Sequence, residues 1–332
     1  MQRFVNDADY IVDDMLQGLV KANPEVKFCD RNDHVISRAN RTENKVGLVT
    51  GGGSGHEPAF VGYVGEGMLD SVAVGEVFAS PPAQAFFDAI MDADQGQGVA
   101  VLFGNYAGDN MNVKMAVQMA EDEDVEVKYL VANDDIASAP KTAKEKRHGI
   151  AGGFFMWKIG GAKAAQGASL DEVIKAAQNV VNRTRSICVG LAPCTIPAVG
   201  HPNFQIEDGT LEFGVGHHGE QGIRAESLKS SDEIASEMTE AILEDFEFAD
   251  TRELAVMISG LGGTPLMELY VLYNQVEKVL SGKGHKIKKV YIGNFVTSLD
   301  MNGVSLSIVD LDQETEALLE EPAKPIGMKN YK

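Results

Sequence analysis

Apolar positions recur along the chain in two rhythms. From Asp7 to Lys21, Ile11, Val12, Met15, Leu16, Leu19 and Val20 repeat at helical spacing, which predicts an amphipathic helix whose apolar face packs inward. After a polar connection from Asn40 to Asn44, the run Val46–Thr50 predicts a strand. It feeds Gly51-Gly52-Gly53-Ser54-Gly55, four glycines in five positions, which reads as a turn and ends in His56 and Glu57. Beyond it the pattern alternates. Ser71–Gly75 reads as a strand, Pro82–Met91 as a helix, Gly98–Phe103 as a strand, Met111–Glu121 as a helix and Val125–Val131 as a strand. Strands separated by helices of this length imply parallel βαβ units, whose strands are buried on both faces and read as continuous apolar runs. Ligands in such sheets sit at the carboxyl ends of strands. The glycine segment after Thr50 lies at such an end, and so does Gly104-Asn105-Tyr106-Ala107-Gly108-Asp109 after Phe103.

Between Asp134 and Gly153 the sequence turns charged, with Lys141, Lys144, Lys146, Arg147 and His148, and reads as a solvated loop ahead of a helix holding Phe154, Phe155 and Trp157. A second amphipathic segment, Leu170–Val181, ends near Arg183, where a domain boundary is expected: residues 1–183 and 184–332. The second half opens with the apolar run Ile187–Leu191. A ribbon is expected from Phe204–Ile206 to Thr210–Phe213, turning at Asp208-Gly209, with Gly214-Val215-Gly216-His217-His218-Gly219-Glu220 directly after it. Leu254–Ser259 then enters Gly260-Leu261-Gly262-Gly263-Thr264-Pro265 much as the first strand enters its own glycines. Gly293-Asn294-Phe295 with Asp300-Met301-Asn302 resembles the 104–112 segment. The expected fold is two α/β domains, each with a largely parallel central sheet flanked by helices, the C-terminal tail packing back on the first.

Composition narrows the function. A chain of 332 residues with 44% hydrophobic content can bury a large core. Its formal charge of −20 repels nucleic acid and anionic membrane surfaces, and its 29 basic residues form no long cluster that reverses this locally. No direct nucleic-acid or membrane partner is expected. No stretch reaches membrane-spanning length. Three cysteines, Cys29, Cys188 and Cys194, without a CxxC pair suit a reducing compartment, so the cytoplasm is the expected location. For Cys194, a buried apolar role outweighs a catalytic thiol.

The glycine segments fail the nucleotide patterns. Counted from Gly51, a Walker A loop requires glycine and lysine where His56 and Glu57 stand; from Gly53 it meets Pro58 where glycine is needed. Dinucleotide fingerprints starting at Gly53 and at Gly260 meet Pro58 and Pro265 at the third glycine. A nucleophile elbow from Gly52 ends on His56. Ser54 therefore reads as a turn hydroxyl. The histidines carry more. Of seven, three lie in glycine-rich segments, His56, His217 and His218, near the loop carboxylates Glu57, Asp109 and Glu220. An imidazole titrating near neutrality is the natural proton carrier, and a carboxylate fixes its tautomer. Zinc is the rival reading, but neither HExxH nor paired cysteines occur, and no metal is expected. The residues by themselves lead to histidine acid/base or nucleophilic chemistry on a small molecule.

Three segments in order, Gly51–Pro58, Gly104–Asn112 and Gly214–Gly222, resemble the K subunits of phosphotransferase-system-dependent dihydroxyacetone kinases, and the resemblance runs over nearly the whole chain. It implies a subunit that binds dihydroxyacetone and no cofactor of its own. A separate L subunit would hold ADP or ATP with Mg²⁺ and an M subunit would recharge it, in accord with the missing nucleotide loop. The resemblance implies that His218 holds the ketone as a covalent hemiaminal, that Gly53 contacts substrate through its backbone, and that His56 and Asp109 bind its hydroxyls and assist proton transfer, with His56 as general base. Gly104, His217 and Glu220 are expected around these residues. A homodimer is implied as well. The chain departs from the family pattern at Gly104, where many members carry lysine, at His217, where an aliphatic residue is common, and at Gln221, where proline is usual. Two alternatives accompany these departures: a coactivator paralogue that binds dihydroxyacetone and engages a transcriptional regulator, and a kinase subunit for a related ketose such as erythrulose.

Overall fold

The computed structural model describes residues 3–202 and 204–328; the chain ends included in the expected spans 1–183 and 184–332, and residue 203, lie outside them. The chain runs α1 (Ile11–Ala22), β1 (Val26–Cys29), β2 (Asn32–Arg38), β3 (Gly47–Ser54), β4 (Gly65–Glu66), β5 (Ser71–Val77), α2 (Ala83–Ala93), β6 (Val99–Gly104), α3 (Ala107–Glu121), β7 (Val127–Ala132), α4 (Gly153–Ala165) and α5 (Leu170–Asn182). It continues through β8 (Thr184–Ala192), β9 (Thr210–Phe213), β10 (Arg224–Ser227), α6 (Ser231–Phe246), β11 (Glu253–Gly260), α7 (Leu266–Gly282), β12 (Lys286–Gly293), β13 (Asn302–Asp310), α8 (Gln313–Glu320) and β14 (Lys324–Pro325). No helix among the described residues is long and apolar enough to cross a membrane.

The elements form two compact units. The first comprises residues up to Ala132, Phe155–Val180 and those from Glu314 onward; the second comprises Asn133–Phe154 and Val181–Gln313. In the first, a six-stranded sheet has the order β1-β2-β5-β3-β6-β7. Its four strands β5, β3, β6 and β7 run parallel, as the strand–helix alternation requires, while β2 joins antiparallel. One face buries Val49, Val101 and Phe103 against Phe86 and Ile90 of α2 and Val113 and Ala116 of α3. In α4, a Cβ on Gly160 would stand 2.7 Å from Leu102, so glycine lets the helix approach the sheet closely. Trp157 Nε1 donates to the Leu102 carbonyl at 3.0 Å. The tail is tied down within this unit: Lys158 Nζ donates to the carbonyls of Leu318 and Glu321 at 2.9 and 2.8 Å, satisfying the end of α8, and β14 pairs with β4.

The second unit holds a six-stranded sheet of order β10-β9-β8-β13-β11-β12. The α/β class is as expected, but here only β11 and β12 pair in parallel. β12 returns to β13 through an eight-residue loop, 294–301, too short for the helical crossover that parallel strands require, so β13 enters antiparallel beside β11. The expected ribbon is also corrected. The partner of β9 is β10, not Phe204–Ile206, and its connection is the loop carrying His217 and His218. Helix α6 starts on a capping box, Ser230 with Glu233, and its apolar side packs Ile234, Met238 and Ile242 on the sheet.

The charged stretch 134–153 is solvated only in its middle, 138–146, and carries buried charges on either side. Arg147 is 2% exposed and bidentate on Asp245, at 3.0 and 2.6 Å, while Arg185 Nε donates to the same carboxylate at 2.6 Å. Three buried charges satisfy one another, and removing one partner of such a set typically costs about 3–5 kcal/mol. Elsewhere in that stretch Ser138, Pro140, Thr142, Glu145 and Lys146 are exposed, and Lys141, Lys144 and His148 are half-buried.

Candidate functional site

In the first unit the glycines do not make a turn. β3 extends through Ser54, with Gly51, Gly52 and Gly53 paired in parallel to Ala73, Val74 and Gly75. Their missing side chains are explained by close approach: a Cβ on Gly52 would fall 2.0 Å from the Phe60 ring, and one on Gly53 would fall 2.7 Å from the Ala79 nitrogen. The turn begins only at Gly55, whose φ is 102° and whose N–H donates to both Glu57 carboxylate oxygens at 3.1 Å. Burial pushes the Glu57 carboxyl up, and that backbone bond opposes it. Ser54 Oγ donates to the Gly75 carbonyl at 2.7 Å, the structural role expected of it.

Three consecutive residues after β5 gather the expected ligand-binding groups. His56, 3% exposed, stacks on Phe78 with ring centroids 5.1 Å apart. Gly53 lies against Ala79. Asp109, in the first turn of α3, accepts from Ser80 Oγ at 2.8 Å. Negative charge is favoured at that helix end, where free N–H groups point outward. Gly104 ends β6, and Asn105 beyond it is held by the Ala132 carbonyl at 3.1 Å and by Asn110 Nδ2 at 2.9 Å. Sequence reasoning missed the 78–80 segment. Its only signal is small residues and prolines directly after a strand.

In the second unit His217, His218 and Glu220 share one loop between β9 and β10. Gly214 and Gly219 take φ of 80° and 81°, conformations open to glycine. A Cβ on Gly216 would stand 2.1 Å from Glu220 Oε2, so the loop can fold its own carboxylate inward. Glu220 Oε1 lies 2.8 Å from His218 Nδ1, and Oε2 accepts from the His218 backbone N–H at 2.8 Å. Burial pushes the Glu220 carboxyl up, but the bonds and charge of His218 outweigh it and hold the group down at about 2. An ionised carboxylate can only accept, so Nδ1 carries the proton of that bond. The His218 side chain is 27% exposed. His217 is 3% exposed, and burial, with the charge of His218 adding, pushes its imidazole down to about 4. Cys194 is fully buried, as expected. Among the described residues no group of three or more His, Cys, Asp or Glu side chains is placed to hold a metal ion.

Sequence reasoning also missed two groups that act on this loop electrostatically. His148 is half-buried; burial lowers its pKa, with Glu220 opposing and His218 adding. Asp135 is 3% exposed, and burial pushes its carboxyl up to about 7, with the charges of Asp134 and Glu220 adding and the Ala137 N–H, 3.0 Å away, opposing. The folded state thus binds this proton more tightly than the unfolded chain does. Its contribution to stability is full below the free carboxyl's 3.8 and is lost as pH rises to about 7. The melting midpoint is expected to fall between pH 5 and pH 7.5, and Asp135→Asn, which keeps an acceptor for Ala137, to flatten that fall. A pH series of melting curves measures it, and equal slopes in the two proteins would refute the assignment.

A family model described as the Dak1 domain matches residues 17–327. The chain is 41% identical over 314 residues to the dihydroxyacetone-binding subunit DhaK of PTS-dependent dihydroxyacetone kinase 1 from Listeria innocua, covering 95% of each. It is 37% identical to the D-erythrulose kinase of Mycolicibacterium smegmatis, covering 97% of this chain and 56% of that protein. Among solved structures, the dihydroxyacetone kinase operon co-activator Dha-DhaQ superposes with a TM-score of 0.89 at 32% identity, covering 96% of this chain and 98% of the other.

Proposed function

The chain belongs to the Dak1-domain family, and on that premise we propose that it is the dihydroxyacetone-binding subunit of a phosphotransferase-system-dependent dihydroxyacetone kinase. The observation that carries this reading is the pairing of His218 Nδ1 with Glu220 on a glycine-framed loop, with the His218 side chain 27% exposed. Nε2 attacks the carbonyl carbon of the ketone. The new C–N bond forms as the C=O π electrons move to oxygen, which takes up a proton, and the resulting hemiaminal places positive charge on the imidazole. Glu220 faces that charge through Nδ1–H and stabilises it. A triol such as glycerol has no carbonyl and forms no such bond, so covalent capture selects ketoses without a large pocket.

The remaining step is phosphoryl transfer. With the ketone fixed, a terminal hydroxyl attacks the phosphoryl group of a nucleotide held with Mg²⁺ by the L subunit, and positioning supplies most of the catalysis. His56 accepts the hydroxyl proton as it attacks. Asp109, held by Ser80, binds a substrate hydroxyl, and Gly53 offers its backbone. His217 and Gly104 lie beside these groups in sequence and form the surroundings of the ligand, not its bonds. The nucleotide and its metal belong to the partner, and an M subunit recharges them.

The reading is tested by mixing the purified chain with a cognate L subunit charged with ATP and Mg²⁺. Dihydroxyacetone phosphate is the expected product, with glycerol inert. Absence of product with any L subunit, together with dihydroxyacetone-dependent binding to a transcriptional regulator, would assign the chain to the coactivators instead. Faster turnover of erythrulose would change the substrate and leave the mechanism.

A further inference from the structure

The second glycine segment, Gly260–Pro265, and the loop 294–301 supply no group to the proposed reaction, yet the second of them meets the His218 loop at one peptide unit. Ser298 Oγ donates to the carbonyl oxygen of His217. The N–H of that same peptide unit belongs to His218 and donates to Glu220 Oε2 at 2.8 Å. One amide plane is therefore pinned at both ends. It is the plane from which the His218 Cα departs, so fixing it fixes the axis about which the residue's φ turns and, with the ring bond to Glu220, the direction of the imidazole.

Ser298 is itself held rigidly. It is fully buried; its N–H donates to the Leu261 carbonyl at 2.9 Å and its carbonyl accepts from Met301 N–H at 3.0 Å. Gly263 N–H reaches the Met301 carbonyl at 2.9 Å, and Asp300 Oδ1 accepts from Thr195 N–H at 2.9 Å. The glycines make this possible. A Cβ on Gly262 would stand 1.9 Å from the Leu299 carbonyl oxygen and one on Gly263 would stand 2.6 Å from that of Asp300, so only bare backbone lets the 298–301 loop lie against the end of β11. The glycine segment that fails the dinucleotide pattern is a seat for this loop.

We propose that Ser298 is a positioning residue for His218, holding the 217–218 peptide so that the imidazole stays in the single tautomer with Nε2 presented to the ketone. Its effect on the reaction rests on the covalent reading above; its effect on the tautomer does not. Removing the hydroxyl leaves a buried carbonyl without that donor and frees the plane at one end.

The test compares Ser298→Ala and Ser298→Thr in the full chain. In the first arm, ¹⁵N spectra of histidine-labelled protein without ligand are expected to lose the single His218 tautomer in the alanine variant and to keep it in the threonine variant. In the second arm, titration with 2-¹³C dihydroxyacetone is expected to give the tetrahedral-carbon signal about tenfold more weakly for alanine, with near wild-type affinity for threonine. With an L subunit, KM should rise while kcat at saturation changes little. Wild-type tautomer and affinity in Ser298→Ala overturn the inference, and so does equal loss in both variants, which assigns the effect to packing. If the wild type itself gives no tetrahedral signal, the covalent reading fails, and the tautomer arm still decides on Ser298. Should Ser298→Ala fail to fold, Ser298→Cys under reducing conditions, a weak donor of similar size, takes its place in both arms.

Discussion

Alanine at position 218 is expected to abolish the tetrahedral adduct with dihydroxyacetone and to lower turnover with an L subunit by about 10³-fold or more, the scale of removing a covalent nucleophile. The neighbouring imidazole cannot stand in. His217 is neutral at assay pH, since burial pushes its pKa down to about 4, and a neutral imidazole is nucleophilic, but only 3% of its surface is exposed. The His218 side chain is 27% exposed and has its proton fixed on Nδ1 by Glu220. Exposure and tautomer together, not histidine chemistry as such, decide between two adjacent residues. The measurement is the ¹³C signal of 2-¹³C dihydroxyacetone at saturating ligand, with initial rates alongside. His217→Ala is the control and should keep the signal. An adduct that survives His218→Ala and disappears in His217→Ala would move the covalent role by one residue and undo the argument from exposure.

Much of the fold was legible because periodicity is set by burial. The strands β5, β6 and β7 and the helices α2, α3 and α5 lie within a few residues of where their apolar spacing put them. Strand β3 was half read. Glycine is a poor strand former, so Gly51–Gly53 looked like a turn, and only the ring of Phe60 and the backbone of Ala79 reveal that they are small for want of space. The alternation rule also overreached in the second unit. It infers parallel pairing from helices between strands, and β12 and β13 have none between them. Helix α6 carried a readable start signal, Ser230 followed by Glu233, that went unused.

The candidate site divides along a similar line. Histidines and carboxylates in glycine-rich segments stand out by residue type, so His56, Asp109, His218 and Glu220 could be named from the chain alone. What holds them could not. Ser80 and Ser298 act through single hydroxyls on groups 29 and 81 residues away, and a serine in a loop carries no pattern of its own. Asp135 was missed for a different reason. It lies in a stretch whose density of charge suggested solvent, while a backbone bridge joins it to Ser186 beside the second sheet.

The role proposed for His56 as general base makes the second large prediction. Asparagine at position 56 is expected to lower turnover with a charged L subunit by about 10²–10⁴-fold, the usual scale of a positioned proton acceptor, while leaving the His218 adduct intact. The competing explanation is packing: His56 stacks on Phe78 at 5.1 Å, and losing an aromatic pair costs about 0.5–1.5 kcal/mol, roughly tenfold at most in any equilibrium that depends on it. A rate loss beyond a hundredfold with an unchanged ¹³C titration therefore belongs to proton transfer. Asparagine keeps a polar group of similar reach but cannot accept a proton at neutral pH, so substrate orientation is perturbed little. Single-turnover transfer from the loaded L subunit isolates the chemical step from product release. Parallel loss of adduct and turnover in His56→Asn would reassign His56 to binding, and Asp109, set in the first turn of α3 and held by Ser80, would then be the carboxylate to test as the acceptor.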